Sequence, residues 1–157
     1  MKTWIIVLST FMLVSCGGSK VVIQAKRSLK GSWTLNSITY DKQGVYNIKL
    51  LGDAPKACFE SSTWQFIPND YKGNYTINAS QCATGLRYFK FDIQEIDADS
   101  GLYDFLLKPT NEKYKSDTNQ GFRLKLTQLS DTSMQWQQTV TVDGEPFTIS
   151  MNFISNE

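Results

Sequence analysis

The chain contains no histidine among its 157 residues. Histidine is the side chain that titrates near neutral pH, and it serves as the base in most serine and cysteine triads. Its absence excludes those triads and removes the commonest nitrogen ligand of zinc. Catalysis would have to use carboxylates, lysine or tyrosine, and the sequence shows no acid–base or nucleophile grouping of these types. We therefore expect a protein that is not an enzyme and that holds no metal and no cofactor.

A large excess of charge is also lacking. The formal net charge is +1, and removal of residues 1–15 would take away Lys2 and bring it to zero. No basic stripe remains that would attract a phosphate backbone, so we expect no nucleic-acid partner.

Long apolar runs are missing, apart from one short stretch at the start of the chain. Trp4 to Val14 form an apolar run of eleven residues behind the basic Lys2. Crossing the hydrocarbon core of a bilayer takes about 20 apolar residues, so this run is too short for a transmembrane helix. Its length and its basic flank are typical of the core of a secretory signal peptide.

The apolar run ends at a cysteine between small residues. Leu13-Val14-Ser15-Cys16, followed by Gly17-Gly18, resembles a bacterial lipobox, where a signal peptidase cuts before a lipidated cysteine. The alternative is an ordinary secretory signal with an incidental cysteine. The resemblance implies that Cys16 carries acyl chains, palmitate among them, which anchor the protein to a membrane of the cell envelope. Because Gly17 stands where an aspartate would retain the protein at the inner membrane, we expect the outer membrane, with the protein facing the periplasm.

The domain organisation follows from this start. We predict a lipoprotein signal peptide over residues 1–15, the lipidated cysteine and a tether over residues 16–28, and a single domain over residues 29–157.

Two cysteines remain once Cys16 is assigned to the lipid. Cys58 and Cys82 would lie in an oxidising compartment, where paired cysteines form disulfides. The alternative is a pair of metal ligands, but two isolated cysteines without histidine do not make a zinc site. We predict a Cys58–Cys82 disulfide.

Apolar and polar residues alternate with period two through most of the chain, which is the pattern of half-buried antiparallel strands. No stretch has convincing helical spacing. Nine candidate strands are separated by turn signals, and Asp143-Gly144 is the strongest hairpin signal among them. The candidate strands cover residues 31–40, 45–51, 62–67, 74–79, 87–96, 103–108, 122–128, 134–142 and 147–154. Closure of such strands into a barrel would leave no exposed edge, so we predict an all-β, antiparallel, up-and-down barrel of about eight to nine strands.

Several motifs in this pattern resemble those of bacterial lipocalin-like lipoproteins. Gly31-Ser32-Trp33 matches the G-x-W motif that opens the first strand of a lipocalin barrel. Two cysteines, Cys58 and Cys82, flank a segment that begins S-T-W-x-F at Ser62. The resemblance extends over about residues 29–154 and implies a lipocalin-like barrel.

The resemblance also implies roles for individual residues at one end of the barrel. Gly31 would let the chain turn into the first strand, and Trp33 would close that end. Lipocalins also stack an arginine on this tryptophan. No arginine follows Arg123 in this chain, so Arg123 is the candidate for a cation–π contact with Trp33.

Large apolar side chains on the inward faces of the strands are the candidate ligand contacts. We predict that Trp64, Phe66, Phe91, Trp136 and Met151 face the barrel lumen. A barrel of about eight strands is either filled by its side chains or holds one small ligand, and the sequence leaves both alternatives open.

Two functions from different classes are compatible with these features. The first is a membrane-anchored protein that binds a small hydrophobic or amphipathic molecule as a carrier, scavenger or sensor. The alternative is a packed barrel that acts as a protein–protein interaction module of the cell envelope.

Overall fold

The structure is a computed structural model that describes residues 20–97, 99 and 102–156, without the side chains of Glu95 and Leu102. The predicted signal peptide and Cys16 lie outside these residues. Eight antiparallel strands form a closed barrel, in the order Gly31–Tyr40, Glu145–Ser155, Ser133–Val142, Phe122–Leu129, Leu102–Thr110, Gly85–Asp97, Lys72–Ile77 and Thr63–Ile67, and the first and the last of these also pair. The predicted all-β, up-and-down, lipocalin-like barrel is confirmed, with eight strands. No helix in the described part of the chain is long and apolar enough to span a membrane.

The elements follow one another along the chain with short connections. They are α1 (Lys20–Leu29), β1 (Gly31–Tyr40), β2 (Lys49–Leu50), β3 (Ala54–Pro55), α2 (Lys56–Phe59), β4 (Thr63–Ile67), a 3₁₀ turn (Pro68–Asp70), β5 (Lys72–Ile77), β6 (Gly85–Asp97), β7 (Leu102–Thr110), β8 (Phe122–Leu129), β9 (Ser133–Val142) and β10 (Glu145–Ser155).

Strand alternation places the apolar side chains inside the barrel. On β4, for example, Trp64 and Phe66 are buried while Thr63, Gln65 and Ile67 are exposed. The predicted hairpin between β9 and β10 is also present.

The turn of this hairpin has the backbone conformation that its sequence favours. Asp143 has φ 53° and Gly144 has φ 82°, so both central residues lie in the left-handed region. Asp-Gly is the common pair for such a turn, because its twist matches that of the flanking strands.

The two ends of the barrel are covered differently. Since neighbouring strands are antiparallel, the start of β1 lies at the same end as α1, the 3₁₀ turn and the β8–β9 turn; we call this the helix end. The opposite end, here called the rim end, carries residues 41–62, 78–84 and 111–121 and the β9–β10 turn. Residues 41–62, which we call the cap segment, contain β2, β3 and α2.

A helix occupies residues that were predicted to be a tether. α1 begins at Lys20, inside the predicted tether 16–28, and it buries Ala25 and Leu29 against the barrel. These residues are four apart and lie on one face of a helix. A helix of ten residues is marginal in isolation, so packing on the barrel stabilises it rather than its own periodicity.

The predicted strand over residues 45–51 is largely wrong. Only Lys49 and Leu50 form a strand, which pairs with β3 outside the barrel. Tyr46 instead packs its ring on Phe147, with the ring centroids 4.5 Å apart. The alternation in this segment therefore reflects burial against the rim end and not membership of the barrel.

Candidate functional site

The five predicted ligand contacts meet inside the barrel, as expected. Trp64, Phe66, Phe91, Trp136 and Met151 are each at most 3% exposed. Ring centroids lie 5.5 Å apart for Trp64 and Trp136, and 5.7 Å apart for Phe66 and Phe91. These are contact distances for aromatic pairs in a packed core.

No ligand-sized space is evident between these side chains. Five cavities on the described residues, of about 140 to 530 Å³, are lined by none of them. Phe105 fills the space beside Trp136, with the ring centroids 4.6 Å apart. The geometry favours the filled alternative for the lumen, and a ligand role for these five residues stays a prediction.

The indole N–H groups in the lumen differ in their hydrogen bonding. Trp64 Nε1 donates to Ser62 Oγ at 2.9 Å, and Ser62 Oγ donates to the carbonyl oxygen of Phe59 at 2.5 Å. Trp136 Nε1 is buried and has no hydrogen-bond partner within the described residues. The lumen is therefore almost wholly apolar.

At the helix end, Gly31 and Trp33 occupy the predicted positions. Gly31 has φ 121°, a conformation that suits glycine and turns the chain from α1 into β1. Trp33 is 1% exposed, and its Nε1 donates to the carbonyl oxygen of Leu29 at 3.0 Å. This hydrogen bond joins the last residue of α1 to the first barrel strand.

The predicted stacking of Arg123 on Trp33 is wrong. Arg123 lies on the outer face of β8, where its side chain is 64% exposed and pairs with Asp104 of β7. Its register partner is Leu106, and both side chains point away from the lumen. An outward strand position cannot reach a tryptophan inside the barrel.

The predicted disulfide is confirmed. Cys58 of α2 and Cys82 of the loop 78–84 are bonded, with their Cα atoms 5.8 Å apart. The bond ties the cap segment to the loop between β5 and β6. Both sulfurs are engaged, so the alternative of two metal ligands does not apply to this structure.

A cleft of about 530 Å³ opens beside the cap segment at the rim end. We call it the rim cleft. It lies between the β2–β3 turn, the adjoining parts of β5 and β6, and the end of β7 with the loop that follows. Its walls are partly apolar and partly polar, and they include Leu51, Tyr75, Leu86, Tyr88, Pro109, Thr110, Asn111, Glu112, Thr118 and Gln120.

An ion pair forms the floor of the rim cleft. Arg87 Nε donates to Asp53 Oδ2 at 2.6 Å, and the hydroxyl of Tyr75 donates to the same oxygen at 2.8 Å. The other guanidinium nitrogens donate to backbone carbonyl oxygens, Nη1 to Gly85 at 2.7 Å and Nη2 to Ala83 at 2.6 Å. Arg87 thereby ties the cap segment to β6 through Asp53, and it holds the end of the β5–β6 loop through Ala83 and Gly85.

The hydroxyl groups of the rim cleft differ in their hydrogen bonding. Burial, and secondarily the charge of Asp53, raises the pKa of Tyr75 well above its usual value, so its hydroxyl stays a neutral donor. Thr110 Oγ1 is buried beside the cleft without a hydrogen-bond partner in the described residues. A buried hydroxyl without a partner carries a desolvation cost. Within the described residues, no three histidine, cysteine or acidic side chains are placed to hold a metal.

The residues of the rim cleft were missed at the level of sequence. Asp53 and Arg87 are 34 residues apart, and no spacing rule joins them. One signal was present: Arg87 has the same strand parity as Phe89 and Phe91, so it had to point inward near a strand end. An inward arginine requires a buried acceptor, and Asp53 supplies it.

These elements define a closed antiparallel barrel of lipocalin type, with a filled lumen, a helix over one end and a disulfide-linked cap over the other. The fold is similar to the crystal structure of a lipocalin-like protein from Bacteroides uniformis ATCC 8492, with a TM-score of 0.50. The two sequences are 10% identical, and the similarity covers 82% of this chain and 98% of that chain. At this identity the likeness shows the fold alone. No protein-family model and no curated protein match the chain.

Proposed function

We propose that this protein is a lipid-anchored binding protein of the cell envelope that holds a small amphipathic molecule in the rim cleft, without turning it over. Cys16 carries the anchor, in the outer membrane, and the barrel faces the periplasm. The observation that carries the ligand site is the rim cleft itself, which combines Leu86 and two tyrosine rings with polar side chains of the loop after β7.

The filled lumen moves the ligand site to the rim. A lipocalin-like barrel suggests small-molecule binding only by analogy between folds. In this chain the interior positions are occupied by packed rings, whereas the rim cleft has a volume within the range of 300–1,000 Å³ that is usual for ligand pockets, at about 530 Å³.

The chemistry of the cleft indicates the kind of ligand. Leu86 and the rings of Tyr75 and Tyr88 offer apolar contacts, and the loop after β7 offers hydrogen-bonding side chains. Arg87 is held by Asp53 and two carbonyl oxygens, so it is not free to bind a carboxylate in the bidentate manner. We therefore propose an uncharged ligand with an apolar body and hydrogen-bonding groups.

A fluorescence titration with the uncharged apolar dye N-phenyl-1-naphthylamine tests the site. Leu86→Ala removes a side chain that is 50% exposed in the cleft, and Ile154→Ala removes one that is 46% exposed on the barrel wall. We expect Leu86→Ala to weaken dye binding about tenfold, since each buried methylene contributes about 0.8 kcal/mol. Ile154→Ala should bind like wild type. Equal weakening by the two variants would contradict the rim site.

The anchor is tested separately. Cys16→Ser should leave the membrane fraction and lose the mass of the acyl chains. A variant that stays membrane-bound with an uncleaved signal would place the anchor elsewhere.

The interaction-module alternative is favoured by exposed apolar side chains at the rim end. Val45, on the cap segment, is fully exposed, and Leu86 is half exposed. If the dye finds no saturable site, and if native mass spectrometry of protein purified from its own cells shows no bound molecule, the same end of the barrel is better explained as a surface for another envelope protein.

A further inference from the structure

The helix end carries a second cleft, of about 460 Å³, whose charge is of one sign. It lies between α1 and the 3₁₀ turn and is lined by Ile23, Lys26, Arg27, Lys30, Pro68 and Asn69. We call it the basic cleft. Three of its six lining residues are cations, and none is acidic.

Two acidic residues lie near this end of α1, since Asp131 accepts a hydrogen bond from Ser28 at 2.8 Å and Asp70 ends the 3₁₀ turn, but neither pairs with the three cations. No carboxylate of the described residues lies within salt-bridge distance of Lys26, Arg27 or Lys30. Lys26 Nζ instead lies 3.8 Å from the centroid of the Tyr71 ring. Arg27 and Lys30 are exposed. Residues 20–30 contain no acidic residue at all, although the whole chain is nearly neutral.

Apolar side chains stand beside the cations. Ile23 is 43% exposed in the basic cleft, and Tyr71 is 45% exposed next to it. A helix with cations and exposed apolar residues on its outer side is typical of segments that lie at a bilayer surface.

The position of the predicted anchor brings this end of the barrel to a membrane. Only residues 17–19 separate Cys16 from Lys20, where α1 begins. Four residue steps span at most about 14 Å when fully extended. If Cys16 is lipidated, the start of α1 cannot lie farther than this from the cysteine that carries the acyl chains.

We propose that the basic cleft docks on the phosphate groups of anionic phospholipids in the membrane that holds the anchor. Lys26, Arg27 and Lys30 supply the charge complementarity, and Ile23 enters the headgroup layer. The proposal rests on the proposed anchoring through Cys16. It orients the barrel with its helix end on the bilayer and its rim cleft directed away from it.

Lysine acetylation of the intact lipoprotein, read residue by residue by mass spectrometry, tests the docking. The protein is reconstituted in vesicles of phosphatidylcholine alone and in vesicles that contain phosphatidylglycerol. We expect acetylation of Lys26 and Lys30 to slow by about fivefold in the anionic vesicles at low salt, the factor expected for a cation near an anionic surface. High salt should abolish the effect, and Lys125, exposed on the barrel wall, should react equally in both.

Two double variants with the same change in charge provide the control. Arg27→Gln/Lys30→Gln should remove most of the protection of Lys26 in anionic vesicles. Lys49→Gln/Lys125→Gln changes exposed cations outside the basic cleft and should leave that protection intact. Equal acetylation rates of Lys26 in the two kinds of vesicle, or equal effects of the two variants, would overturn the proposal.

Two more measurements distinguish headgroup docking from a free-anion site and from a missing anchor. Protection of Lys26 by inorganic phosphate in detergent micelles, without lipid, would show a free-anion site and would overturn docking on headgroups. The intact mass reports the acyl chains on Cys16 independently. If the acyl chains are absent, the anchoring proposal fails. The acetylation of Lys26 is then measured with the protein added to preformed vesicles, and a lack of protection there would contradict the docking proposal.

Discussion

At the scale of single residues, the tightest constraint in the barrel is Gly73 on β5. A Cβ added there would lie 2.6 Å from Phe89 Cε2 and 2.7 Å from the backbone oxygen of Gln65. Phe89 is fully buried and the Gln65 oxygen belongs to the neighbouring strand, so neither can move without repacking the interior. The packing of the lumen beside Phe89 therefore requires a residue without a side chain at position 73.

We expect Gly73→Ala to lower the free energy of unfolding by about 1–3 kcal/mol, the usual cost of overpacking. Gly121→Ala is the matched control, because its Cβ would lie 3.7 Å from the nearest atom, the backbone oxygen of Leu107. Its effect should stay within about 1 kcal/mol of wild type. Urea unfolding of the three proteins measures both values. A Gly73→Ala protein as stable as wild type would mean that the interior near Phe89 is loosely packed.

Tyr75 links the rim cleft to stability at high pH. Its pKa is raised in the folded state, so the folded protein retains the phenolic proton after the unfolded chain begins to lose it. The stabilisation is complete below pH 10, the usual pKa of tyrosine, and decreases as the pH rises above that value.

Tyr75→Phe should therefore flatten the decline in stability between about pH 9.5 and 11.5, relative to wild type. At about pH 7 the variant should be less stable by about 1.5–3 kcal/mol, because the hydrogen bond to the charged Asp53 is lost. Tyr88→Phe serves as the control, since its hydroxyl makes no hydrogen bond within the described residues. Parallel pH profiles for Tyr75→Phe and wild type would contradict this assignment.

At the scale of elements, the cap segment is held by the disulfide, the Asp53–Arg87 pair and the burial of Phe59. The Phe59 ring packs on Tyr75, with the centroids 5.4 Å apart, and so extends the aromatic interior into the cap. The disulfide closes a separation of 24 residues that contains all of β4 and β5.

Replacing both cysteines by alanine should lower stability by roughly 3.5 kcal/mol, the chain-entropy value for a loop of this length. We expect the cap segment of this variant to unfold before the barrel, because β4 and β5 keep their backbone hydrogen bonds to neighbouring strands. Hydrogen exchange should show faster exchange at residues 50–60 than at β8–β10. Uniform acceleration over all strands would show that the cap and the barrel unfold together.

The secondary structure predicted from the sequence is wrong in two regions, α1 and residues 45–51, and both lie at the ends of the barrel. Period-two alternation predicts the barrel strands because each has one face in the lumen and one in water. α1 was missed because the face that packs on the barrel is short: Ala25 and Leu29 are buried, and only the partly buried Val21 continues their spacing. Residues 45–51 alternate as a strand does, but no neighbouring strand was free to pair with them once the barrel had closed.

At the scale of the whole molecule, the sequence could predict the barrel and its disulfide but not the location of the candidate site. Strand alternation alone identified the five side chains that face the lumen, namely Trp64, Phe66, Phe91, Trp136 and Met151. Whether these side chains leave a cavity depends on how closely they pack across the barrel. Alternation along a strand holds no information about the distance between side chains of opposite strands. The rim cleft depends on the fold of the cap segment, in which Asp53 meets Arg87 from a distant strand.

The proposed function depends on a filled lumen and on a ligand that binds at the rim. A two-dimensional ¹H–¹⁵N NMR titration of the protein with the uncharged dye N-phenyl-1-naphthylamine examines both together, because indole N–H signals report on the lumen. We predict shifts in the backbone amides of residues 51–53, 86–88 and 110–112, while the indole signals of Trp64 and Trp136 remain unchanged. Saturable shifts of those two indole signals, with the rim amides unchanged, would show that the ligand enters the lumen and that the rim cleft is not its site.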